Sequence, residues 1–257
     1  KEEFYSDGTL KDRSNFQSKN DGGKRHGSRE IYYRNGQLKE KLNWVNGEQG
    51  GLGTAYRENG EIEIKVTYKN GEKDGLTSLY YANGEILVEQ RFKNGELDGL
   101  STTYYENGEI ANKATYKNGE KDGLSTSYHE NGQIVAEQFK NGEKDGLSTT
   151  YYENGETKFK GMYKNGELDG LFEWFYEDGQ LKVTTTYTNG QQDGFRTEYH
   201  DNGEIKFRGI YRNGEGDGLF VWFDEKGEET GAECRMNGTV RGKGDFFWRS
   251  EWMVHCF

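Results

Sequence analysis

Apolar and polar residues alternate along much of the chain in short segments separated by glycine turns. In the segment from residue 60 to residue 68, polar residues alternate with apolar Ile62, Ile64, Val66 and Tyr68. A period of two over such a length is typical of a strand with one apolar face. Asn-Gly pairs stand at the turns and predict tight hairpins of type I′. Asn tolerates, and Gly adopts freely, the positive φ that both central residues of that turn need.

The turns recur with a fixed period. The first turn glycine of each repeat is one of Gly8, Gly36, Gly60, Gly84, Gly108, Gly132, Gly155, Gly179, Gly203 and Gly227. From Gly36 onward these glycines are 24 residues apart, with one step of 23. A second turn glycine follows eleven residues later, or ten later at Gly142, and an Asp-Gly-Leu sequence such as Asp74-Gly75-Leu76 comes next. Ten copies cover nearly everything from Phe4 to Phe247.

Two strands and two tight turns in each repeat indicate a β-hairpin, and successive hairpins joined by further turns form a meander. We therefore predict an all-β, elongated repeat protein. Its fold is a twisted antiparallel β-meander of about ten 24-residue β-hairpin repeats. The repeat array is expected to occupy residues 1–242, and residues 243–257 are expected to form an aromatic C-terminal strand or cap. Because repeats of this kind contact mainly their neighbours, we expect a monomer.

Aromatic and leucine residues recur at fixed places in the repeat and predict how the sheet packs. An aromatic residue such as Tyr104 stands four positions before each first turn glycine, and Leu100 and its equivalents stand four positions earlier in most repeats. We expect these two sets to lie on one face and to pack from repeat to repeat, with Ser101 and Thr103 on the opposite face. A second aromatic series runs through Trp44, Tyr68, Phe92, Tyr116, Phe139, Tyr163, Tyr187 and Tyr211. Aromatic rings thus replace aliphatic side chains in the predicted packing.

Composition changes this picture mainly by exclusion. The 257-residue chain is 31% hydrophobic, 31% charged and 14% aromatic, with no Pro and a formal net charge of -11. It contains no run of about 18 apolar residues that could form a membrane span. The acidic balance argues against nucleic acid and anionic lipid as ligands, because both attract an excess of Lys and Arg. We expect no nucleic acid partner, and membrane contact only through a lipid anchor outside this sequence.

The repeat sequence Y-K-N-G-E-K-D-G-L-S-T-T-Y-Y-E-N-G resembles a MORN repeat, and Gly23-Lys24-Arg25-His26-Gly27 matches the G-K-R-H-G signature of that family. The acidic Asp-Gly form and the longer spacing are similar to bacterial variant MORN repeats. The resemblance implies an extended, twisted antiparallel sheet that binds partner proteins. Some members are credited with lipid binding. Bacterial variants are frequently surface or lipid-anchored proteins, and a related subset is described as antitoxin-like.

The sequence offers no constellation typical of catalysis or metal binding. Repeated carboxylates such as Glu61 and Asp74 adjoin turn glycines, where they cap turns or pair with Lys. The four His, at positions 26, 129, 200 and 255, are isolated, whereas a metal site needs three or four converging ligands. Ser101 and Ser148 repeat one position without His or Asp at matching places. We predict a non-enzymatic chain with no catalytic residue, metal or cofactor.

Two repeats depart from the pattern by placing large aromatic residues where the other repeats carry mainly Ser or Thr. These residues are Phe172, Trp174 and Tyr176 in one repeat, and Phe220 and Trp222 two repeats later. Exposed aromatics rimmed by charge are typical of interaction sites, so one interpretation is a partner-binding surface. The alternative is that the aromatic tail, residues 246–257, folds onto this face and buries the five residues as a cap.

Cys234 and Cys256 are the only cysteines and both lie in the divergent C-terminal region. A disulfide between them would fasten the last strand to the tail, and closing a loop of this length stabilises a fold by about 3 kcal/mol. Such a bond would imply an oxidising compartment. The alternative is two unrelated thiols.

The leading functional hypothesis is a non-catalytic protein-binding scaffold that presents an extended β-sheet surface. We expect an exported bacterial protein, surface-bound or lipid-anchored, at the cell surface or in the periplasm. One alternative is an intracellular antitoxin or immunity protein that sequesters a toxin in the cytoplasm. A further alternative is a protein that binds membrane surfaces. A disulfide would favour export, free thiols would favour the antitoxin, and binding to anionic liposomes would favour the membrane.

Overall fold

The computed structural model describes residues 1–16 and 24–244, and these residues form strands and turns without any helix. The strands are β1 (Glu2–Phe4), β2 (Leu10–Phe16), β3 (Gly27–Tyr32), β4 (Leu38–Val45), β5 (Glu48–Gln49), β6 (Gly51–Tyr56), β7 (Ile62–Lys69), β8 (Glu72–Tyr80), β9 (Ile86–Lys93), β10 (Glu96–Tyr104), β11 (Ile110–Lys117), β12 (Glu120–Tyr128), β13 (Ile134–Lys140), β14 (Glu143–Tyr151), β15 (Thr157–Lys164), β16 (Glu167–Phe175), β17 (Leu181–Thr188), β18 (Gln191–Tyr199), β19 (Ile205–Arg212), β20 (Glu215–Gly216), β21 (Gly218–Phe223), β22 (Glu229–Met236) and β23 (Thr239–Gly244). The prediction of an all-β repeat protein is confirmed.

The chain divides into two compact units, a first unit from Lys1 to Ser125 and a second unit from Thr126 onward. Strands β1 to β11 of the first unit form an antiparallel meander in which pairing runs between neighbours along the chain. β4 pairs with both β5 and β6, which are two parts of one strand interrupted at Gly50. Strand β12 contains the point at which the units divide.

The second unit repeats the same arrangement. Strands β13 to β23 pair antiparallel with their neighbours along the chain. β19 pairs with both β20 and β21, which are interrupted at Asp217. The predicted boundary between the repeat array and the C-terminal segment falls inside β23, and residues 245–257 lie outside the described part of the chain, so that boundary stays a prediction.

The second turn of each repeat from Asn46 onward is the predicted two-residue type I′ hairpin. Asn70 and Gly71 have φ of 52° and 83°, and the flanking Lys69 and Glu72 are paired residues of β7 and β8. The equivalent Asn in the other second turns, from Asn46 to Asn237, has φ between 48° and 53°. Asn-Gly therefore supplies the left-handed conformation at both central positions, as this turn requires.

The first turn of each repeat has a different geometry from the predicted one. In all ten described first turns the glycine N–H donates to the carbonyl three residues earlier, as Gly108 does to Tyr105 at 2.9 Å. Gly108 has a positive φ of 84°, but Asn107 does not. Instead, Asn107 Oδ1 accepts a hydrogen bond from the Glu109 N–H at 2.9 Å. The prediction of type I′ is wrong here, because a side chain bonded to the backbone two residues on favours a type I turn followed by a left-handed glycine.

The two faces of the sheet are not buried as predicted. Leu76 and Leu100 are 40% and 46% exposed, whereas the adjacent Thr77 and Ser101 are 2% and 7% exposed. The predicted packing of the leucines from repeat to repeat therefore covers them only in part. The leucines lie opposite residues that give them little cover, since Leu100 pairs with Thr115.

The second aromatic series explains why small residues such as Thr77 are buried beside exposed leucines. In β6 the position equivalent to Thr77 is Gly53, and a Cβ added there would lie 3.1 Å from Cε2 of Tyr68. The Tyr68 ring thus extends over this row of small side chains. Small residues become buried because the large rings beside them cover them, which the alternation of residue types alone does not reveal.

Hydrogen bonds from the turns join consecutive repeats. In the second turns a glycine N–H donates to a carbonyl of the preceding repeat, as Gly95 does to Lys73 at 2.9 Å. Near the first turns, the Tyr81 hydroxyl donates to the Tyr104 carbonyl in the next repeat at 2.8 Å. These bonds cross from one repeat to the next at both edges of the meander, so each repeat is held by its neighbours as well as by its own strands.

Candidate functional site

The five aromatic residues predicted to bind a partner all lie in the second unit, but not all are exposed. Phe172 on β16 and Phe220 on β21 are 1% and 0% exposed, so the expectation of exposure is wrong for these two. Trp174, Tyr176 and Trp222 are half-buried. The cause of burial is packing among aromatic side chains of the same sheet face. A role of the three half-buried residues in partner binding stays a prediction, and the tail proposed as a cap lies outside the described residues.

The first aromatic cluster surrounds Phe172. Its members are Phe159, Tyr163, Phe172, Trp174 and Tyr187. The Phe172 ring centroid lies 4.9 Å from that of Tyr187 and 5.6 Å from that of Tyr163, with interplanar angles of 69° in both pairs. Phe159 packs beside Trp174 with ring centroids 5.3 Å apart. Edge-to-face contacts of this kind add stability beyond the area that they bury.

The second aromatic cluster repeats this arrangement 48 residues later in the sequence. Its members are Phe207, Tyr211, Phe220 and Trp222. Tyr211 meets Phe220 edge-on at 5.3 Å, and Phe207 lies 5.5 Å from Trp222. The Arg235 guanidinium lies 4.4 Å from the centroid of the Phe220 ring, which covers that ring with a cation. Both clusters are therefore sheet-face cores with one tryptophan at the edge.

Each cluster depends on a glycine opposite its central phenylalanine. Gly161 pairs with Phe172, and a Cβ added to Gly161 would lie 2.4 Å from Cε1 of that ring. Gly209 is placed in the same way beneath Phe220, with a distance of 2.6 Å. Real Cβ atoms do not approach so closely. The phenylalanine ring can lie flat on the sheet only because the backbone beneath it carries no side chain.

Tyr176 has a structural role at the first turn that follows β16. Its hydroxyl donates to the Tyr199 carbonyl at 2.9 Å, and the Lys182 ammonium lies 5.1 Å from its ring centroid. Burial raises the pKa of the Tyr176 hydroxyl, and the charges of Asp201 and Glu198 raise it further. The hydroxyl therefore stays protonated near neutral pH and continues to donate its inter-repeat hydrogen bond.

A pocket of about 290 Å³ adjoins the first aromatic cluster. It is lined by Tyr152, Lys158, Trp174, Phe175, Lys182, Val183 and Arg196. The lining contains three cations and no carboxylate. Lys158 lies 5.4 Å from the Tyr152 ring centroid, and Arg196 is 2.7 Å from the Glu198 carboxylate outside the lining. We call this site the cationic pocket. It offers one tryptophan face together with positive charge.

Each unit also carries a row of exposed leucine positions, which we call its apolar row. The members are Leu52, Leu76, Leu100 and Leu124 in the first unit, and Leu147, Leu171 and Phe195 in the second. Each side chain is between 40% and 59% exposed. The register accounts for this exposure, because Leu52 lies opposite Thr67 and Leu76 opposite Arg91, which are not core partners.

Other kinds of site are not evident in the described residues. Within residues 1–16 and 24–244, no group of three or more His, Cys, Asp or Glu side chains is placed to hold a metal ion. The described part of the chain also contains no helix that could cross a membrane.

Cys234 lies on β22, is 4% exposed and is bonded in a disulfide. Its predicted partner, Cys256, lies outside the described residues, so the pairing of these two cysteines stays a prediction. Cys234 pairs with Leu219 across β21 and β22, so its disulfide lies in the last repeat of the second unit.

Comparison with known proteins identifies the repeat. A family model described as the MORN repeat variant matches the chain at residues 25–46, 49–70, 73–94, 97–118, 121–141, 144–165, 168–189 and 192–213. The first turns at Gly8 and Gly227 have the same geometry but lie outside the matched segments. No curated protein matches the chain significantly. The matched segments cover well over half of the sequence and coincide with the structural repeats, and the chain therefore belongs to the MORN repeat variant family.

Proposed function

We propose that this chain is a non-catalytic scaffold that binds a partner protein along the apolar row. The observation that carries the proposal is the exposure of Leu76, Leu100 and their equivalents at one position of successive repeats. Single exposed leucines are ordinary on protein surfaces. Within one unit, a series of them, one on every second strand and thus about 10 Å apart, forms an apolar stripe, which is typical of an interaction surface.

The charges around the row favour a protein over a lipid surface as the partner. The chain carries a formal net charge of -11, so it is repelled by anionic headgroups. Arg91 lies opposite Leu76, while Leu52 and Leu100 face threonines. An apolar stripe with polar residues beside it resembles the centre and rim of a protein interface.

The proposal also includes an extracytoplasmic location, because the disulfide of the buried Cys234 is stable only in an oxidising compartment. A bacterial cell-surface or periplasmic protein fits this chemistry. Two free thiols in protein isolated under non-reducing, thiol-blocking conditions would favour the alternative, an intracellular antitoxin that sequesters a toxin.

The experiment places a photo-crosslinking benzophenone amino acid at Leu100 in the chain expressed in its native cell. The matched control carries the same group at Glu106, an exposed turn residue of the same repeat. We expect one protein to be crosslinked from position 100 and not from position 106. That product should disappear when Leu76 and Leu124 are both changed to Ser, while thermal unfolding is nearly unchanged. Equal crosslinking from both positions, or survival of the product in the Leu76→Ser/Leu124→Ser variant, would contradict the proposal.

A further inference from the structure

The cationic pocket has a composition that differs from that of the chain around it. The protein as a whole is acidic, with a formal net charge of -11, yet three of the seven pocket residues are Lys or Arg and none is Asp or Glu. Two of these cations, Lys158 and Lys182, lie over the tyrosine rings of Tyr152 and Tyr176. A cation held over a ring keeps its positive charge and its ability to donate to an anion.

The walls of the pocket are apolar where the rim is charged. Trp174 and Phe175 end strand β16, and Val183 lies directly opposite Trp174 on β17. Trp174 packs against Phe159 on one side, and its remaining surface lines the pocket. The volume of about 290 Å³ is sufficient for one or two side chains and is at the lower limit for a drug-sized ligand.

We propose that the cationic pocket binds an acidic segment of the partner protein, in which an aromatic or aliphatic side chain stands next to Asp or Glu. The apolar side chain lies on Trp174 and Val183, and the neighbouring carboxylate is bound by Lys158 and Lys182. This inference rests on the proposed function, because it assumes that the partner is a protein. It adds the chemistry by which one part of that partner is recognised.

Charge complementarity is the reason for choosing an acidic segment. Arg196 already pairs with Glu198, so it contributes less free positive charge than the two lysines. Lys158 and Lys182 line a site that contains no carboxylate, and Lys158 also borders a neighbouring pocket that Glu153 and Glu177 line. A peptide carboxylate is therefore the complementary group, and an adjacent apolar side chain gains the buried surface that a free ion would not.

The second aromatic cluster provides an internal comparison. Two repeats after Lys182 the equivalent residue is Thr230, and the position of Tyr176 is taken by Asp224. Lys206 is the equivalent of Lys158, so the neighbourhood of Trp222 keeps one of the two lysines and gains a carboxylate. The second cluster should therefore bind the acidic segment much more weakly than the cationic pocket does.

The test uses the complete chain labelled with 5-fluorotryptophan, and the Trp174 fluorine resonance is assigned with a Trp174→Phe variant. The probes are acetyl-Asp-Phe-Asp-amide, its neutral Asn-Phe-Asn analogue and its basic Lys-Phe-Lys analogue, titrated at low salt. We expect the acidic peptide to shift the Trp174 resonance and to bind about tenfold more tightly than the neutral peptide. The Trp222 resonance should not move.

Two pairs of variants distinguish binding by the pocket lysines from a general effect of the net charge of the protein. Lys158→Gln/Lys182→Gln should weaken binding of the acidic peptide about tenfold, whereas Lys140→Gln/Lys164→Gln, which changes the net charge equally at exposed second turns, should leave it nearly unchanged. Equal weakening by both pairs would overturn the proposal. So would inorganic phosphate or phosphatidylglycerol vesicles shifting the Trp174 resonance as strongly as the acidic peptide.

The outcome is distinguishable from the test of the apolar row. If the Lys158→Gln/Lys182→Gln variant retains the partner crosslinked from position 100 with unchanged affinity, and the acidic peptide does not bind, the scaffold function stands and the pocket inference is wrong. If the peptide binds as expected but the Leu76→Ser/Leu124→Ser variant still retains the partner, the pocket inference stands and the apolar row is not the interface.

Discussion

Side-chain size is matched across neighbouring strands at single positions of the sheet. In the first unit Val66, 5% exposed, lies opposite Thr77 across β7 and β8. At the equivalent position of the second unit Gly161 lies opposite Phe172. A large residue on one strand is thus accompanied by the loss of a side chain on the other. The pair, and not either residue alone, determines whether the face is packed without overlap.

We expect Gly161→Ala to destabilise the protein by about 3 kcal/mol, because the added methyl overlaps the Phe172 ring and the core must shift. Adding Phe172→Ser to this variant should recover part of the loss, since it removes the ring that the added methyl overlaps and gives the two positions the residue types of Ala114 and Ser125. Urea unfolding of the two single variants and the double variant gives the coupling free energy.

Gly231→Ala is the matched control for that cycle. Gly231 lies opposite Trp222 in the same unit, and a Cβ there would meet nothing within 4 Å. Its substitution should change the free energy of unfolding by less than about 0.5 kcal/mol. If Gly161→Ala were equally mild, the close packing of Phe172 on the backbone would be wrong.

Two adjacent residues of β16 allow a direct test of which face is the core. Phe172→Ala should cost about 4 kcal/mol, because the ring is fully buried. Leu171→Ala should cost about 1 kcal/mol, because that side chain is 47% exposed. Chemical denaturation followed by tryptophan fluorescence measures both. Equal losses would show that Leu171 is covered in solution.

At the scale of the hairpin, two turns with the same Asn-Gly sequence adopt two geometries. In the second turn Asn118 has a φ of 49°, whereas in the first turn Asn107 holds the Glu109 N–H with its side chain. The flanking residues decide between the two forms. The second turn closes a regular two-residue hairpin, while the first is preceded by a register shift between Thr103 and Tyr104.

The two turn geometries predict different changes in stability for the same Asn→Gly substitution. Asn107→Gly should destabilise the protein by about 1 kcal/mol, because the side-chain hydrogen bonds to Glu109 are lost. Asn118→Gly should be nearly neutral, because glycine adopts the left-handed conformation without strain. Thermal unfolding of the two variants is the measurement. A larger loss at position 118 than at position 107 would contradict the assigned turn types.

The repeat, the strands and the second turns could be predicted from the sequence, because each depends on local conformational preferences. The sequence was insufficient for the first turns, where a side-chain hydrogen bond competes with the type I′ preference. It was also insufficient for the burial of Phe172 and the exposure of Leu100. Both depend on which side chain of a neighbouring strand lies across the position, and that is set by the register and the bulges. The cationic pocket combines residues of five consecutive strand ends and turns, so no local pattern could reveal it.

At the scale of the whole molecule, repeats that bond mainly to their neighbours should be removable one at a time. Deleting Lys73–Glu96 joins Glu72 to Leu97 and recreates the Gly-Glu-Leu-Asp-Gly sequence of the next repeat. We expect this shortened protein to fold, with a urea m-value about a tenth lower in proportion to its length.

Deleting Lys73–Gly84 is the control, because it removes one strand and one turn and leaves the following strand running in the wrong direction. That variant should lose cooperative unfolding and dispersed amide resonances. If the 24-residue deletion also failed to fold, contacts beyond neighbouring repeats would be essential to the first unit.

The leucines of the apolar row in the first unit follow one another at intervals of 24 residues without a change of residue type. A surface with this translational symmetry looks almost the same after a shift of one repeat. A ligand that touched only these leucines could therefore bind in several alignments of nearly equal free energy. The number of alignments would raise its affinity, but the ligand would have no single bound position. The row of the second unit lacks this symmetry, since Phe195 replaces a leucine and the exposed Met162 lies opposite Leu147. Identical repeats can be added to such a protein without changing its fold. Residues that differ between repeats are what fix a partner at one position along the row.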